Sequence, residues 1–247
     1  MRILSYNVHK GFCSANRQFL LADIRESIRA VDADVVFLQE VVGENHRHAR
    51  AIDNWVHGGQ FEFLADSIWP HFAYGKNAVY QHGHHGNAIL SKFPIIHSDN
   101  VDVSLYRQSQ RGLLFSEVES GVHLVCVHMG LLGWERHRQF QLLERAIAER
   151  VPAAAPLIIA GDFNDWTGAI HQRFKRHLRL REAFTQLTGK PVRSFPVKRP
   201  FFRLDRIYYR GFEAVEARRL SGPPWDRLSD HCGIYAELLP ADAGARS

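Results

Sequence analysis

Polar side chains interrupt or close a series of apolar runs in this chain, and they are of the types that hold a hard cation and a phosphate. Asn7 ends Ile3-Leu4-Ser5-Tyr6, Glu40 ends Val35-Val36-Phe37-Leu38-Gln39, and His128 ends Val122-His123-Leu124-Val125-Cys126-Val127. Asp162 and Asn164 follow Leu157-Ile158-Ile159-Ala160-Gly161, Asp205 stands in Arg203-Leu204-Asp205-Arg206-Ile207, and Ser229-Asp230-His231 leads into the last apolar run. Carboxylates and amides coordinate Mg²⁺ or Mn²⁺, and imidazoles donate to phosphoryl oxygens or move protons. Each residue alone has a plainer reading. A strand-end Asn or Asp makes a turn or caps a helix, Asp162-Phe-Asn164-Asp165 is compatible with a turn, and a single His128 is compatible with a hydrogen-bonded core histidine. The joint pattern decides for chemistry, because independent turns have no reason to carry this set in this order.

Those side chains act together only if the strands bring their ends to one edge. Strands are expected at 2–7, 34–38, 72–80, 87–91, 95–103, 112–119, 122–128, 156–160, 204–209, 213–219 and 232–238. Helices are expected at 17–31, 45–56, 60–68, 134–150 and 167–177. The first helix shows the 3.6-residue period in Leu20, Leu21, Ile24, Ile28 and Val31, with Asn16 placed as N-cap. The helix at 134–150 repeats the period through Phe140, Leu143 and Ile147, and Pro152 stops it. Many short strands with interspersed helices predict two packed sheets covered by helices. With no repeat or Pro/Gly/Ser linker, residues 1–240 read as one catalytic domain and 241–247 as a flexible tail.

Composition narrows the class. A hydrophobic fraction of 45% and a charged fraction of 23% exclude a disordered or fibrous chain. No apolar run is long enough for a membrane-spanning helix. Met1-Arg2 leads straight into a strand without a signal-peptide pattern, and Cys13, Cys126 and Cys232 are scattered and odd in number. A reducing, cytoplasmic protein without disulfides is therefore expected. The formal charge of +5 favours anionic partners.

The order of the motifs resembles the endonuclease/exonuclease/phosphatase superfamily, which includes pancreatic-type deoxyribonucleases, exonuclease III-like abasic-site endonucleases, neutral sphingomyelinases and inositol polyphosphate 5-phosphatases. The matching stretches are Leu4-Ser-Tyr-Asn7, Phe37-Leu-Gln-Glu40, Gly86-Asn-Ala-Ile-Leu-Ser91, His128, Gly161-Asp-Phe-Asn164, Leu204-Asp205-Arg-Ile and Ser229-Asp230-His231. The resemblance implies an α/β fold, a four-layered αββα sandwich of two packed mixed, mainly antiparallel sheets flanked by helices. It also implies a metal-dependent phosphoesterase, most readily a phosphodiesterase or nuclease, that uses Mg²⁺ (or Mn²⁺). By resemblance Glu40 is the principal metal ligand, with Asn7 and Asp230 completing the site. Asp162 activates water, Asn164 holds it or a phosphoryl oxygen, and His231 and His128 donate to the phosphate. Asp205 is expected to fix the tautomer of His128 and favour its charged form.

The pattern departs from the abasic-site branch, which has a tyrosine-bearing stretch where this chain has His128-Met-Gly and an acidic residue where this chain has His9. That points toward the deoxyribonuclease, sphingomyelinase and tyrosyl-DNA phosphodiesterase side. Arg111, before a strand, suits a phosphate clamp or a surface salt bridge. His84 and His85, in the histidine-rich loop 81–86, suit phosphate contact, adventitious zinc or a solvated turn. The stretch 193–203 mixes Lys198, Arg199 and Arg203 with Phe195, Phe201 and Phe202, which fits base stacking, a membrane surface or the core; the core is expected for Phe201 and Phe202. Nucleic acid is the first partner expected, phospholipid or inositol phosphate the second, with no obligate protein partner. A non-catalytic binding protein on the same fold is the remaining reading. A zinc hydrolase lacks its H-E-x-x-H, and a P-loop NTPase lacks its G-x-x-x-x-G-K-[ST].

Overall fold

In a computed structural model, residues 1–241 are described. Of the tail expected over 241–247, residues 242–247 lie outside the described residues. The strands are β1 (Arg2–Asn7), β2 (Val35–Asn45), β3 (His71–Tyr80), β4 (Gly83–Ser91), β5 (Ile95–Asp102), β6 (Gly112–Val118), β7 (His123–His128), β8 (Leu157–Asp162), β9 (Arg181–Glu182), β10 (Asp205–Arg210), β11 (Phe212–Arg219) and β12 (Ile234–Pro240). The helices are α1 (Leu21–Val31), α2 (His46–Ala51), α3 (Gln60–Ala65), α4 (Gly133–Arg150), α5 (Ala169–His177), α6 (Ala183–Thr188) and α7 (Trp225–Leu228).

One sheet runs β11-β12-β1-β2-β4-β3 and the other β5-β6-β7-β8-β10-β9. Each has a single parallel pair at its centre, β1 with β2 and β7 with β8, and antiparallel neighbours elsewhere. A parallel pair needs a crossover, and the first helix supplies it in one sheet and α4 in the other. The alternation of strand side chains then builds three cores. Ile3, Phe37, Leu124, Ile158 and Ile234 point between the sheets. Leu4, Val36 and Leu38 pack outward on Leu21, Ile24, Ile28 and Leu64. Val125, Val127 and Ile159 pack outward on Phe140, Leu143, Ile170 and Phe174. The result is the expected αββα sandwich of two mixed, mainly antiparallel sheets.

Several expectations change in detail. Residues 17–20 are not helical: Asn16 takes a left-handed φ of 54° in a turn and caps nothing, and α1 starts after Leu20. Asn45, not a residue inside a longer helix, caps α2 by accepting from the His48 amide at 2.9 Å. The histidine-rich segment is strand rather than loop from Gly83 onward, because β2 continues to Asn45 and supplies it a partner. The short β9, α6 and α7 were not expected, since two to six residues cannot display a period.

Candidate active site

The strand registers carry the polar residues to one edge. Asn7 lies beside Gln39 across the β1–β2 pair, His128 beside Asp162 across β7–β8, and Asp205 beside Asp162 across β8–β10. Strand β10 runs antiparallel, so its first residue meets the last of β8. The Ser229–Asp230–His231 segment enters β12, which pairs with β1, and the Ser229 hydroxyl donates to the Asn7 carbonyl at 2.7 Å. Two sheets thus present their chemistry in a common cleft.

Local backbone features aim the side chains. Glu40 interrupts the β2–β4 register between Leu38 and Val41 and has a φ of 57°, a bulge that turns its carboxylate out of the ladder. Asn164, at φ 46°, folds its own amide back to donate to Asp162 Oδ1 at 2.8 Å, while its side-chain amide donates to the Met129 carbonyl at 2.8 Å. His9 and Lys10 also have left-handed backbones, so four strained residues surround one cleft. Gly161 precedes Asp162 with a φ of 148°, and a Cβ there would stand 1.9 Å from the Val127 carbonyl oxygen. Only glycine lets β8 deliver Asp162 so close to β7.

The side chains meet as a network. The Asn7 side-chain amide lies 3.4 Å from both Glu40 Oε1 and Asp162 Oδ2, linking the two sheets. Lys10 Nζ donates to Glu40 Oε2 at 2.8 Å, and His9 Nδ1 lies 2.8 Å from Asp230 Oδ1. His231 Nδ1 lies 2.8 Å from Asp205 Oδ2, and its Nε2 faces Asp162 Oδ2 at 3.7 Å. His128 Nε2 faces the same Asp162 oxygen at 3.6 Å. Asp205 therefore partners His231 and not His128, which corrects the expectation for its tautomer-fixing role. Strand β10 directs Asp205 toward the β12 side, out of reach of the ring on β7.

Electrostatics separates the two imidazoles. Burial opposes charge on His231, but the Asp205 and Asp162 carboxylates outweigh it and push the ring up to about 10. Burial dominates for His128, the Arg111 guanidinium adds to it, and the ring falls to about 4. One imidazole is thus a cationic donor and the other a neutral ring, where sequence reasoning expected His128 to be charged. Burial raises the Asp162 carboxyl above its ordinary value, against the pull of His231. Burial works the same way on Glu40, yet Lys10 and His128 hold its carboxyl well below the usual range. The Asp230 bond raises His9.

The more peripheral candidates divide. Arg111 makes no salt bridge among the described residues; its Nε donates to the Met129 carbonyl at 3.3 Å, the acceptor that also holds Asn164. His84 and His85 point to opposite faces of β4. His85 stands near Lys10, Glu40 and Arg111, and burial first, then Lys10, lowers it to about 4. His84 turns away, hydrogen-bonds Tyr74 at 2.9 Å, and lines a separate cavity of about 460 Å³ with Trp55 and Phe61. Phe201 is 54% exposed, so the core expected for it is not where it lies; Phe202 is half-buried against Trp166. Sequence reasoning missed Lys10 as the Glu40 partner and Ser194, whose hydroxyl accepts from the Asp205 amide at 3.1 Å. The positions of His9 and Lys10, just past Asn7, were the available signal; Ser194 left none.

A family model described as the Endonuclease/Exonuclease/phosphatase family matches residues 4–231. The chain belongs to that family. It is 43% identical over 243 residues to the protein YbhP of Escherichia coli (strain K12), covering 96% of this chain and 95% of that one. Among solved structures it is similar to an endonuclease/exonuclease/phosphatase from Beutenbergia cavernae (TM-score 0.77, 20% identity, 98% of this chain and 72% of that one). It is similar also to a humanized D. rerio TDP2 (TM-score 0.70, 20% identity, 97% and 98% covered) and to the human Nocturnin catalytic domain with bound sulfate (TM-score 0.71, 20% identity, 98% and 93% covered). At that identity the likeness is one of fold. Family members are generally metal-dependent hydrolases of phosphate esters, and the cleft has donors suited to such an ion. Its carboxylates, amides and few imidazoles form an oxygen-rich set of the kind hard cations take. Asp162, Asp205 and His231 offer ligand atoms within 4.8 Å of one another. In that group, however, the Asp205 and Asp162 carboxylates favour the doubly protonated ring of His231, so its Nε2, the nitrogen that faces Asp162, serves as a donor rather than as a ligand.

Proposed function

We propose that this protein hydrolyses a phosphodiester by attack of a water molecule, with the Asp162–His231–Asp205 array as its centre. The observation that carries the reading is that array: a buried carboxylate, Asp162, faces the His231 imidazole, which a second carboxylate holds by a 2.8 Å hydrogen bond. Asp162, raised by burial, takes the proton of the attacking water, and Asn164 holds its Oδ1 in place. His231 donates from Nε2 to the phosphoryl oxygen on which charge builds. Asp205 keeps that ring protonated and oriented. His128, neutral and on the other side of Asp162, donates its one ring N–H to a second phosphoryl oxygen, and Arg111 neutralises the anion beside it. Glu40 is the principal ligand for Mg²⁺ or Mn²⁺, with Asn7 and Asp230 beside it, and the bound ion supplies Lewis-acid stabilisation of phosphate charge. Lys10 and His9 balance Glu40 and Asp230 before the ion arrives.

Two substrate classes are to be tested, and a nucleic acid strand is one of them. The formal charge of +5 supports it, as does a cavity of about 530 Å³ in which Trp166 and Phe202 stand with Lys190 and Arg203. The D. rerio TDP2 fold relative has been seen complexed with a single-strand DNA product. A membrane phospholipid ester is the second reading, favoured by exposed aliphatic side chains at the same edge. The test compares bis-p-nitrophenyl phosphate with p-nitrophenyl phosphate under Mg²⁺, Mn²⁺ and EDTA, for wild type and Asp162→Asn. Metal-dependent diester cleavage that disappears in the variant is the expected result. Full activity in Asp162→Asn would overturn the assignment.

A further inference from the structure

Six of the eleven large apolar side chains that stand exposed among the described residues lie at the edge that holds the catalytic cluster. They are Val79 and Tyr80 at the β3–β4 hairpin tip, Leu131, Leu132 and Trp134 directly after His128, and Phe201 just before Asp205. Leu131 and Trp134 are each 58% exposed, against which a folded protein normally scatters such residues singly. On one shoulder the segments are joined to one another. Gln110 accepts from the Val79 amide at 2.7 Å, the Tyr106 and Trp134 rings lie 5.8 Å apart, and buried Glu135 accepts from the Ser109 and Tyr106 hydroxyls. Phe201 forms the opposite shoulder, leaning on Phe202, which abuts Trp166 beside Asn164. The site lies between two apolar shoulders.

Charge on these segments has one sign. Residues 76–85, 103–111, 129–138 and 190–203 contain a single acid, Glu135, and it is buried. Arg107, Arg138, Lys198 and Arg199 are exposed among the apolar tips. A basic surface suits any polyanion, but the tips choose among them. Leu131, Leu132 and Val79 have no ring face for a base to stack on, whereas leucine and tryptophan beside arginine and lysine suit the boundary between acyl chains and anionic headgroups.

We propose that this edge docks on a bilayer containing anionic phospholipid. Leu131, Leu132 and Trp134 on one shoulder and Phe201 on the other enter the acyl-chain boundary, and the exposed arginines and lysines meet headgroup phosphates. Docking sets the cleft on the membrane face, and, resting on the phosphodiesterase reading above, it makes a membrane phospholipid the ester that reaches Asp162.

The test uses the full chain with vesicles of phosphatidylcholine, with and without phosphatidylglycerol, in a sedimentation assay. Wild type is expected to bind the phosphatidylglycerol vesicles, and Leu131→Asp/Leu132→Asp to bind them at least about tenfold more weakly. Leu187→Asp, an exposed apolar position on α6 away from the edge, should bind as wild type does. Brominated acyl chains should quench tryptophan emission in wild type and do so far less in Trp134→Phe. Each variant is also assayed on soluble bis-p-nitrophenyl phosphate. Retained turnover in Leu131→Asp/Leu132→Asp shows that the loss of binding is not a loss of fold. Vesicle binding without turnover in wild type would sink the phosphodiesterase reading and leave docking standing. Failure of wild type to bind either vesicle, equal binding by the double variant, or a single-stranded oligonucleotide captured in place of vesicles would overturn the proposal.

Discussion

Replacing Asp205 by Asn keeps a hydrogen-bonding group against His231 Nδ1 but removes the charge that most supports the imidazolium. The ring stands at about 10 against an ordinary 6.5, which corresponds to roughly 5 kcal/mol favouring the protonated form at 1.36 kcal/mol per tenfold. Asp162 shares in that support, so the loss of Asp205 alone is taken as about half, bringing the ring to about 8. At about pH 7 both proteins then hold the proton, whereas at about pH 9 wild type is mostly protonated and the variant about one-tenth so. The variant's deficit in kcat should therefore be about tenfold larger at the higher pH. The assay is kcat on bis-p-nitrophenyl phosphate with saturating Mg²⁺ across that range, with histidine ring signals followed by NMR. A deficit of equal size at both pH values refutes the reasoning, as does a titration in which His128 moves and His231 does not. Stability should follow the same sign. Because the folded value lies above the unfolded one, the His231 contribution is whole below pH 6.5 and lost as pH rises through about 10.

Other perturbations separate chemistry from architecture. Glu40→Gln should lower activity by at least about a hundredfold and abolish saturable Mn²⁺ binding by calorimetry, while the melting temperature changes little; unchanged Mn²⁺ affinity would move the metal elsewhere. Asp165 and Arg206 form a fully buried ion pair at 3.0 Å, so Asp165→Asn should cost about 3–5 kcal/mol in urea unfolding, and Asp165→Leu/Arg206→Met should recover much of it. Gly161→Ala would drive a Cβ to 1.9 Å from the Val127 carbonyl oxygen, and a destabilisation of at least about 1–3 kcal/mol is expected with loss of activity; a variant of wild-type stability would mean that β7 and β8 separate without cost.

How far the sequence told the story depends on how local each signal is. Strand ends are local, because an apolar run of alternating faces stops where a polar residue needs a different environment. Asn7, His128, Asp162 and Asp205 were therefore legible, as were two packed sheets from many short strands with interspersed helices, while the four-layered order came from the family resemblance. Partnership is not local. Asp205 was assigned to His128 by the family resemblance, yet β10 runs opposite to β8 and its first residue faces a segment 26 positions later. The N-cap at Asn16 failed for a related reason: a polar Ser-Ala-Asn run reads as a helix start, and only the pairing of Phe12 with Phe19 shows it to be a turn.

Exposure is the least legible quantity, and it bears most on substrate. Paired phenylalanines before a strand, Phe201 and Phe202, read as core because hydrophobic residues usually end there. Leu131 and Trp134 do not bury because α4 turns its interior face, through Phe140, Leu143 and Ile147, onto β7 and β8. Glu135 and Gln139 then fill the space behind its first turn with hydrogen bonds to Ser109, Gly130 and Val103. A buried carboxylate occupies the interior position while its apolar neighbours face outward, an inversion of the usual arrangement. Under the docking proposed above, the tryptophan that α4 exposes while burying its glutamate meets the bilayer beside the candidate cleft, and the basic residues around it favour an anionic one.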